Sequence, residues 1–137
     1  MVNLARHNAR RGTAAVEAAL MLPMVMFMTL ALVTYGWIFI KSGQITNAAR
    51  QGARVAARAD ALATDVDSII LTLMTNAGIS GYTVDQLDVE GSPAGTIMTV
   101  TITVPYAGTD VELIPMPLFM PVPQTLKSVA SMLKEGL

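Results

Sequence analysis

Glu17 is the residue whose type is least expected for its position in this sequence. It is the only charged side chain between Arg11 and Lys41, and it stands near the start of an apolar run. A charged side chain deep in a membrane costs on the order of 2.5–3.5 kcal/mol on insertion scales, and somewhat less near an end of the span. A retained carboxylate therefore predicts a partner, and the chemistry that we expect of Glu17 is charge pairing.

No other group of residues has the composition of an active site. The chain has no cysteine and only one histidine, His7, so thiol chemistry and the usual Cys/His metal sites are excluded. Asp65 and Asp67 fit the start of a helix better than a catalytic pair. The carboxylates of Asp85 and nearby residues 88 and 90 fit the solvated edge of a hairpin better than a divalent-ion site. We expect no enzymatic activity, no cofactor and no metal.

The element that must position Glu17 is a long apolar helix. Residues 18–40 contain no charged side chain, and as a helix they would extend about 35 Å, against about 30 Å of membrane hydrocarbon. The run is too long for a secretory signal peptide and lacks a convincing cleavage site after it. It predicts one membrane span, and the short basic leader before it favours a cytoplasmic N-terminus.

Composition leaves room for one small domain after the span. The chain has 137 residues, of which 53% are hydrophobic and 14% are charged, with a net charge of −1. Residues 59–137 contain nine acidic residues and two lysines. An acidic domain of this kind lacks the basic face that nucleic-acid binding requires.

The helical pattern continues beyond the span with two different faces. Arg50, Arg54 and Arg58 recur at every fourth position and form one basic stripe. The opposite stripe is mostly small or apolar and consists of Gln44, Ile45, Ala48, Gly52, Val55, Ala59 and Leu62. Small residues allow close approach, so this stripe predicts a contact with the distal sheet or with a partner subunit. The arginines fit a solvated face, a contact with lipid phosphates, or a contact with acids of a neighbouring copy such as Asp65 and Asp67.

The distal residues predict a second helix. Thr64 or Asp65 can cap its start, and Gly78 ends it. Its apolar face consists of Val66, Ile69, Ile70, Leu73, Met74 and Ala77. This spacing is typical of a helix that packs on a core.

Two strands joined by a turn follow the second helix. In "TIMTVTITVPY", residues 98, 100, 102 and 104 are apolar and alternate with threonines, which predicts one buried face and a threonine-lined outer face. Prolines at 115, 117, 121 and 123 exclude a regular helix there. We expect a crossover loop with Leu118 and Phe119 in the core, and a recognition segment is the alternative. Residues 125–134 fit either a helix or a strand.

Three segments resemble one protein family. "RRGTAAVEAALMLP", "YGWIFI" and "QITNAARQGARVAA" together are similar to the TadE-like pseudopilins of tight-adherence (Tad, or Flp) pili. The resemblance implies a class III prepilin whose basic leader is cut after Gly12 by a prepilin peptidase. Thr13 becomes the mature N-terminus and Glu17 the fifth mature residue. Ala18 departs from the aromatic residue of many relatives, and a closing strand is implied for residues 125–134.

The same resemblance implies a partner for Glu17. Cleavage would create an ammonium group on Thr13, and residues at i and i+4 share one helical face. Glu17 could neutralise its own N-terminus or that of a neighbouring subunit, because a buried charge is tolerable when it is closely paired. The alternative is a carboxylate that reaches the lipid headgroups at the edge of the membrane.

Together these observations predict an α+β, pilin-like fold with a long helix, a short helix and an antiparallel sheet of about three strands. The expected organisation is a leader over 1–12, a long helix over 13–62 and a small extracytoplasmic domain over 63–137. The expected function is a minor pilin anchored in a bacterial inner membrane, with other pilins, the prepilin peptidase, the assembly platform and lipid as partners. The alternative is a single-pass anchored binding or sensor module, which predicts no cleavage at Gly12.

Overall fold

The computed structural model describes residues 3–113 and 121–136, with side chains from Thr13 onward. The elements are α1 (Asn3–Ala56), α2 (Ala63–Asn76), β1 (Thr83–Gln86), β2 (Ile97–Pro105) and β3 (Thr125–Leu133). The strands form one antiparallel sheet in the order β1-β2-β3. The predicted α+β class is confirmed, and β3 settles the ambiguity over residues 125–134 in favour of a strand.

The chain divides into two compact units, Met1–Tyr35 and Gly36–Leu137. Helix α1 runs through the first unit and supplies the first element of the second. The second unit contains α2 and the sheet, and its core lies where α2 and the inner face of the sheet meet the last five turns or so of α1.

Helix α1 ends at Ala56, six residues before the predicted end at Leu62. Neither glycine nor proline marks this end in the sequence. The backbone N–H of Glu135, just after β3, donates to the carbonyl of Ala57 at 2.7 Å. That carbonyl would accept from Ala61 if the helix continued, and Ala61 instead donates to Arg58 at 3.4 Å. The helical pattern has already changed at Arg58, whose N–H donates to Val55 at 3.1 Å, and the bond from Glu135 then satisfies a carbonyl that the helix end leaves without a helical partner.

Helix α2 begins differently from the prediction and ends as predicted. Its N-cap is Leu62, so Thr64 and Asp65 were wrong as capping residues. Asp65 instead lies in the first turn, where its carboxylate accepts the Leu62 N–H at 3.4 Å. At the other end Gly78 has a φ of 60°. Its N–H and that of Ile79 donate to carbonyls of the last turn at 3.0 and 2.9 Å, which is a Schellman motif.

Strand β2 has the predicted two faces. Met98, Val100, Ile102 and Val104 are buried, whereas Thr99, Thr101 and Thr103 lie half-buried on the outer face. Thr99 pairs with Ser131 of β3, and their hydroxyl oxygens lie 3.0 Å apart. The connection from β2 to β3 closes where the Tyr106 N–H donates to Gln124 at 2.9 Å. The predicted core contacts of Leu118 and Phe119 lie outside the described residues.

Candidate functional site

The first unit exposes an apolar surface around the whole of its helix. Val16, Leu22 and Val25, which lie at different positions around the helix, are more than half exposed. The exposed fractions of four other apolar side chains are 73–75%, and these are Leu20, Met24, Met28 and Leu32. In the described chain one helical segment, Thr13–Ala56, is long and apolar enough to cross a membrane. Such a helix requires an apolar environment, either lipid or other helices.

The residues of the predicted processing site all lie within α1. The helix is continuous through the bond between Gly12 and Thr13. Glu17 is exposed and stands one turn beyond Thr13. Cleavage after Gly12 and the charge pairing of Glu17 stay predictions, since both concern the protein after a covalent change.

The small residues of the second half of α1 contact this chain's own α2 and sheet. Ala48 and Gly52 are buried. A Cβ added to Gly52 would lie 2.9 Å from Ile70 Cδ1 and 3.4 Å from Val100 Cγ1. Glycine is therefore the residue that lets α2 and β2 approach α1 this closely. Gln44, which the pattern placed on the same stripe, is exposed.

Lys41 makes a buried polar site at the end of α2 that the sequence analysis missed. Its side chain is only 6% exposed. The ammonium group donates to the carbonyl of Ala77 at 2.6 Å and to that of Gly78 at 3.5 Å, and lies 4.8 Å from the centre of the Trp37 ring. Those carbonyls carry the negative end of the α2 dipole, so a cation there is stabilised. No local pattern in the sequence pairs Lys41 with this helix end, because Ala77 lies 36 residues away in the chain.

A second charged group lies next to this helix end. The Ser80 hydroxyl and backbone N–H both donate to the Asp110 carboxylate, the latter at 3.2 Å. The hydrogen bond from the Ser80 side chain is the main reason that the pKa of Asp110 lies below its usual value, and Lys41 contributes in the same direction. Asp110 itself is exposed, so the arrangement stabilises a loop rather than forming a closed ligand site.

Two further polar contacts attach β3 and the residues after it to the rest of the second unit. The Ser128 hydroxyl donates to the Thr46 hydroxyl on α1, with the oxygens 3.2 Å apart. Lys134, also 6% exposed, donates through its ammonium group to the carbonyl of Val89. These contacts satisfy polar groups inside the domain, as burial requires.

The three arginines lie on the side of α1 opposite to the buried stripe. Arg50 and Arg54 are exposed on the helix, and Arg58 is exposed in the turn just after it. Within the described part of the chain, none of their guanidinium groups makes a hydrogen bond or an ion pair. A contact of Gln44 and these arginines with a partner subunit stays a prediction, while Ala48 and Gly52 are covered by the chain itself.

Nothing in the described ranges resembles a catalytic or metal centre. No group of three or more His, Cys, Asp or Glu side chains among the described residues could hold a metal ion. The charged groups that do make contacts are engaged with helix ends, turns and loops. The features that remain for function are surfaces: the apolar helix and the exposed arginines.

Comparison with known protein families matched a segment within α1. Residues 12–54 match the family model described as TadE-like protein, which is roughly a third of the chain and lies within the segment that carried the predicted resemblance. The resemblance is thereby confirmed over those residues. No curated protein and no solved structure matched the chain.

Proposed function

We propose that this TadE-like chain is a minor pilin of a Tad-type adhesive pilus. The prepilin peptidase removes residues 1–12, and the mature subunit packs through α1 against other pilins at the inner membrane, with its second unit outside the cytoplasm. The observation that carries the proposal is an exposed apolar helix with one carboxylate, Glu17, five residues after Gly12, inside the segment that matches the family.

The electrostatic argument concerns what happens when such helices pack together. Each helix brings a carboxylate into an apolar bundle, and an unpaired buried charge is strongly unfavourable. Cleavage after Gly12 supplies an ammonium group on Thr13, one helical turn away. In a bundle, the Thr13 terminus of one subunit can pair with Glu17 of the next, which fixes the axial register of the two subunits.

Mass spectrometry of the chain extracted from membranes tests the processing step. We expect a mature form that begins at Thr13 when the peptidase is active and the full chain when it is deleted. A Gly12→Leu variant should remain uncut in both strains. A leader that is stably retained beside an active peptidase would contradict the proposal.

A substitution at Glu17 tests the pairing step separately. Glu17→Ala should be processed normally, but its co-purification with partner pilins should fall by more than about 100-fold, since removing one member of a buried ion pair costs about 3–5 kcal/mol. Thr29→Ala is the matched control, because the Thr29 hydroxyl donates to Val25 of its own helix at 2.9 Å. Normal co-purification of the Glu17 variant would refute the pairing role.

Replacing residues 13–40 with an unrelated single-pass anchor distinguishes the proposal from a membrane-anchored binding module. A pilin should lose incorporation into the pilus, because its helix makes the subunit contacts. Retained function with the foreign anchor would favour the binding module, in which the helix only holds the second unit at the membrane.

A further inference from the structure

The exposed side of α1 beyond the span carries positive charge that the described chain leaves uncompensated. We call Arg50, Arg54 and Arg58 the arginine face. The sequence contains no acidic residue between Glu17 and Asp60, so this side of α1 carries no carboxylate of its own. Since the buried stripe of α1 contacts α2 and β2, the arginine face points away from the body of the second unit.

Negative charge that has no basic partner among the described residues lies around the first turn of α2, on both sides of buried Val66. We call Asp65, Asp67 and Glu90 the acidic strip. Their carboxylates accept from neutral donors only: the Leu62 N–H to Asp65, Gln86 Nε2 to Asp67 at 3.3 Å, and the Ala63 N–H to Glu90 at 3.4 Å. All three acidic residues are exposed. Neutral donors orient these groups but leave their negative charge in place.

The acidic strip lies at the same height along α1 as the last part of the arginine face. Lys41 contacts the last turn of α2, and Gly52 contacts Ile70 in its middle, so α2 runs antiparallel to α1. The first turn of α2 therefore lies beside the end of α1, which is where Arg54 and Arg58 stand. The hydrogen bond from Ala63 to Glu90 brings the third acid to this level.

We propose that the arginine face binds the acidic strip of a second copy of this chain. This inference rests on the proposed function, because single-pass subunits in one membrane share one orientation. Two copies side by side then bring their charges together only if the opposite charges lie at equal heights, as they do here. One copy uses its arginine face toward one neighbour and its acidic strip toward another.

Distance along the helix argues against lipid phosphates as the main ligand. If the span ends at residue 40, Arg54 lies about 21 Å further along the axis, at about 1.5 Å per residue. The electrostatic screening length at physiological salt is about 8 Å. Arg54 and Arg58 are therefore too far from the membrane surface to be attracted strongly by lipid phosphates. A neighbouring copy that lies alongside can contact them at any distance from the membrane.

The absence of native cysteine allows a clean crosslinking test. Ala59→Cys places a thiol beside Arg58 of the arginine face, and Thr64→Cys places one at about the same height beside the acidic strip, without removing a charge. The two full-length variants, carrying different tags, are co-expressed in one membrane and oxidised. We expect a disulfide-linked dimer that carries both tags, in larger amount than the dimers formed by either variant alone.

Charge reversal in the same background tests the electrostatic basis. Reversing all three arginines to glutamate in the Ala59→Cys chain should lower the mixed dimer at least about fivefold, as expected for a few exposed ion pairs. Reversing the three acids to lysine in the Thr64→Cys chain should restore it. The matched control changes Asn47, an exposed neutral residue of α1, to alanine and should leave the yield unchanged.

Three results would overturn the inference. One is a mixed dimer no more abundant than the dimers of single variants, and another is a yield that does not respond to charge reversal. The third is a crosslink to a different protein in place of the second copy. Processing at Gly12 is measured on the same samples, so a chain that is cut normally but gives no mixed dimer rejects this contact while the proposed function stands.

Discussion

Gly52→Ala is the substitution for which the structure gives the sharpest expectation. The added methyl group would lie 2.9 and 3.1 Å from Cδ1 and Cγ1 of Ile70, and 3.4 Å from Val100 Cγ1. Ile70 is completely buried, so its side chain has little room to move away. Overpacking of this kind costs about 1–3 kcal/mol. Alanine also gains about 0.8–1 kcal/mol over glycine in a helix, and the net result is a domain of equal or lower stability.

Gly43→Ala is the matched control on the same helix. A Cβ at Gly43 meets no atom within 4 Å, so this variant receives the helix gain without the packing cost. The two variants should therefore differ by about 1–3 kcal/mol in the free energy of unfolding of the second unit. The sign of the difference, with Gly43→Ala the more stable protein, does not depend on the exact helix propensity.

Urea titration of the full chain in a mild detergent, followed by the fluorescence of Trp37, measures this difference. Trp37 is the only tryptophan and belongs to the second unit. The double variant Gly52→Ala with Ile70→Val removes the closest atom, Ile70 Cδ1, and should recover part of the loss beyond the sum of the two single changes. If Gly52→Ala stabilises the domain as much as Gly43→Ala does, that result would contradict the close packing of α2 against α1 at Gly52.

Three further perturbations test the polar contacts. Lys41→Met should lower the free energy of unfolding by about 1.5–3 kcal/mol, the contribution of hydrogen bonds from a charged group. It should also speed hydrogen exchange in the last turn of α2. The control Lys127→Met, at an exposed position, should change the free energy of unfolding by less than about 0.5 kcal/mol. Because the pKa of Asp110 is lowered in the folded protein, its contribution is present above the ordinary carboxyl pKa of about 3.9 and is lost as the pH falls through the folded value. Asp110→Asn should therefore lower stability at neutral pH and weaken its fall in acid, as measured by urea titrations at pH values from about 6 to 2; an unchanged acid profile would contradict the role of Ser80. Ser128→Ala and Thr46→Val should each cost about 0.5–1.5 kcal/mol, and a double-mutant cycle that shows strict additivity would contradict their contact.

Local patterns predicted most elements of the second unit because most of the patterns had a single physical meaning. Alternation of apolar residues and threonines from Met98 to Val104 fits only a sheet with one buried face. Gly78 was recognisable as a helix end because its positive φ is strained for other residues. Residues 125–134 fitted two periodicities, and the pairing of β3 with β2 decided between them.

The errors arose where tertiary contacts decide between local alternatives. Both Thr64 and Asp65 are good capping residues, yet the turn after α1 places Leu62 at the cap and uses Asp65 from within the first turn. The carbonyl of Ala57, just after the end of α1, accepts from Glu135, which is distant in sequence. No local pattern contains that information.

The sequence also could not predict which groups the charged and small residues contact. Lys41 had the features of a lysine flanking a membrane span, and only the position of Ala77 shows that it stabilises α2. The small residues around Gly52 predicted a close contact without stating whose surface would be involved. The structure assigns that surface to this chain's own α2 and β2.

The contacts of α1 within the second unit have a mechanical consequence. The helix contacts the rest of that unit at Lys41, Thr46 and Gly52, and the turn just after it adds a contact at Ala57. A pull along the helix axis loads all of these contacts at once, in shear, instead of opening them one after another. Tension transmitted through the helix is therefore shared across the whole domain, and detachment requires several bonds to break together.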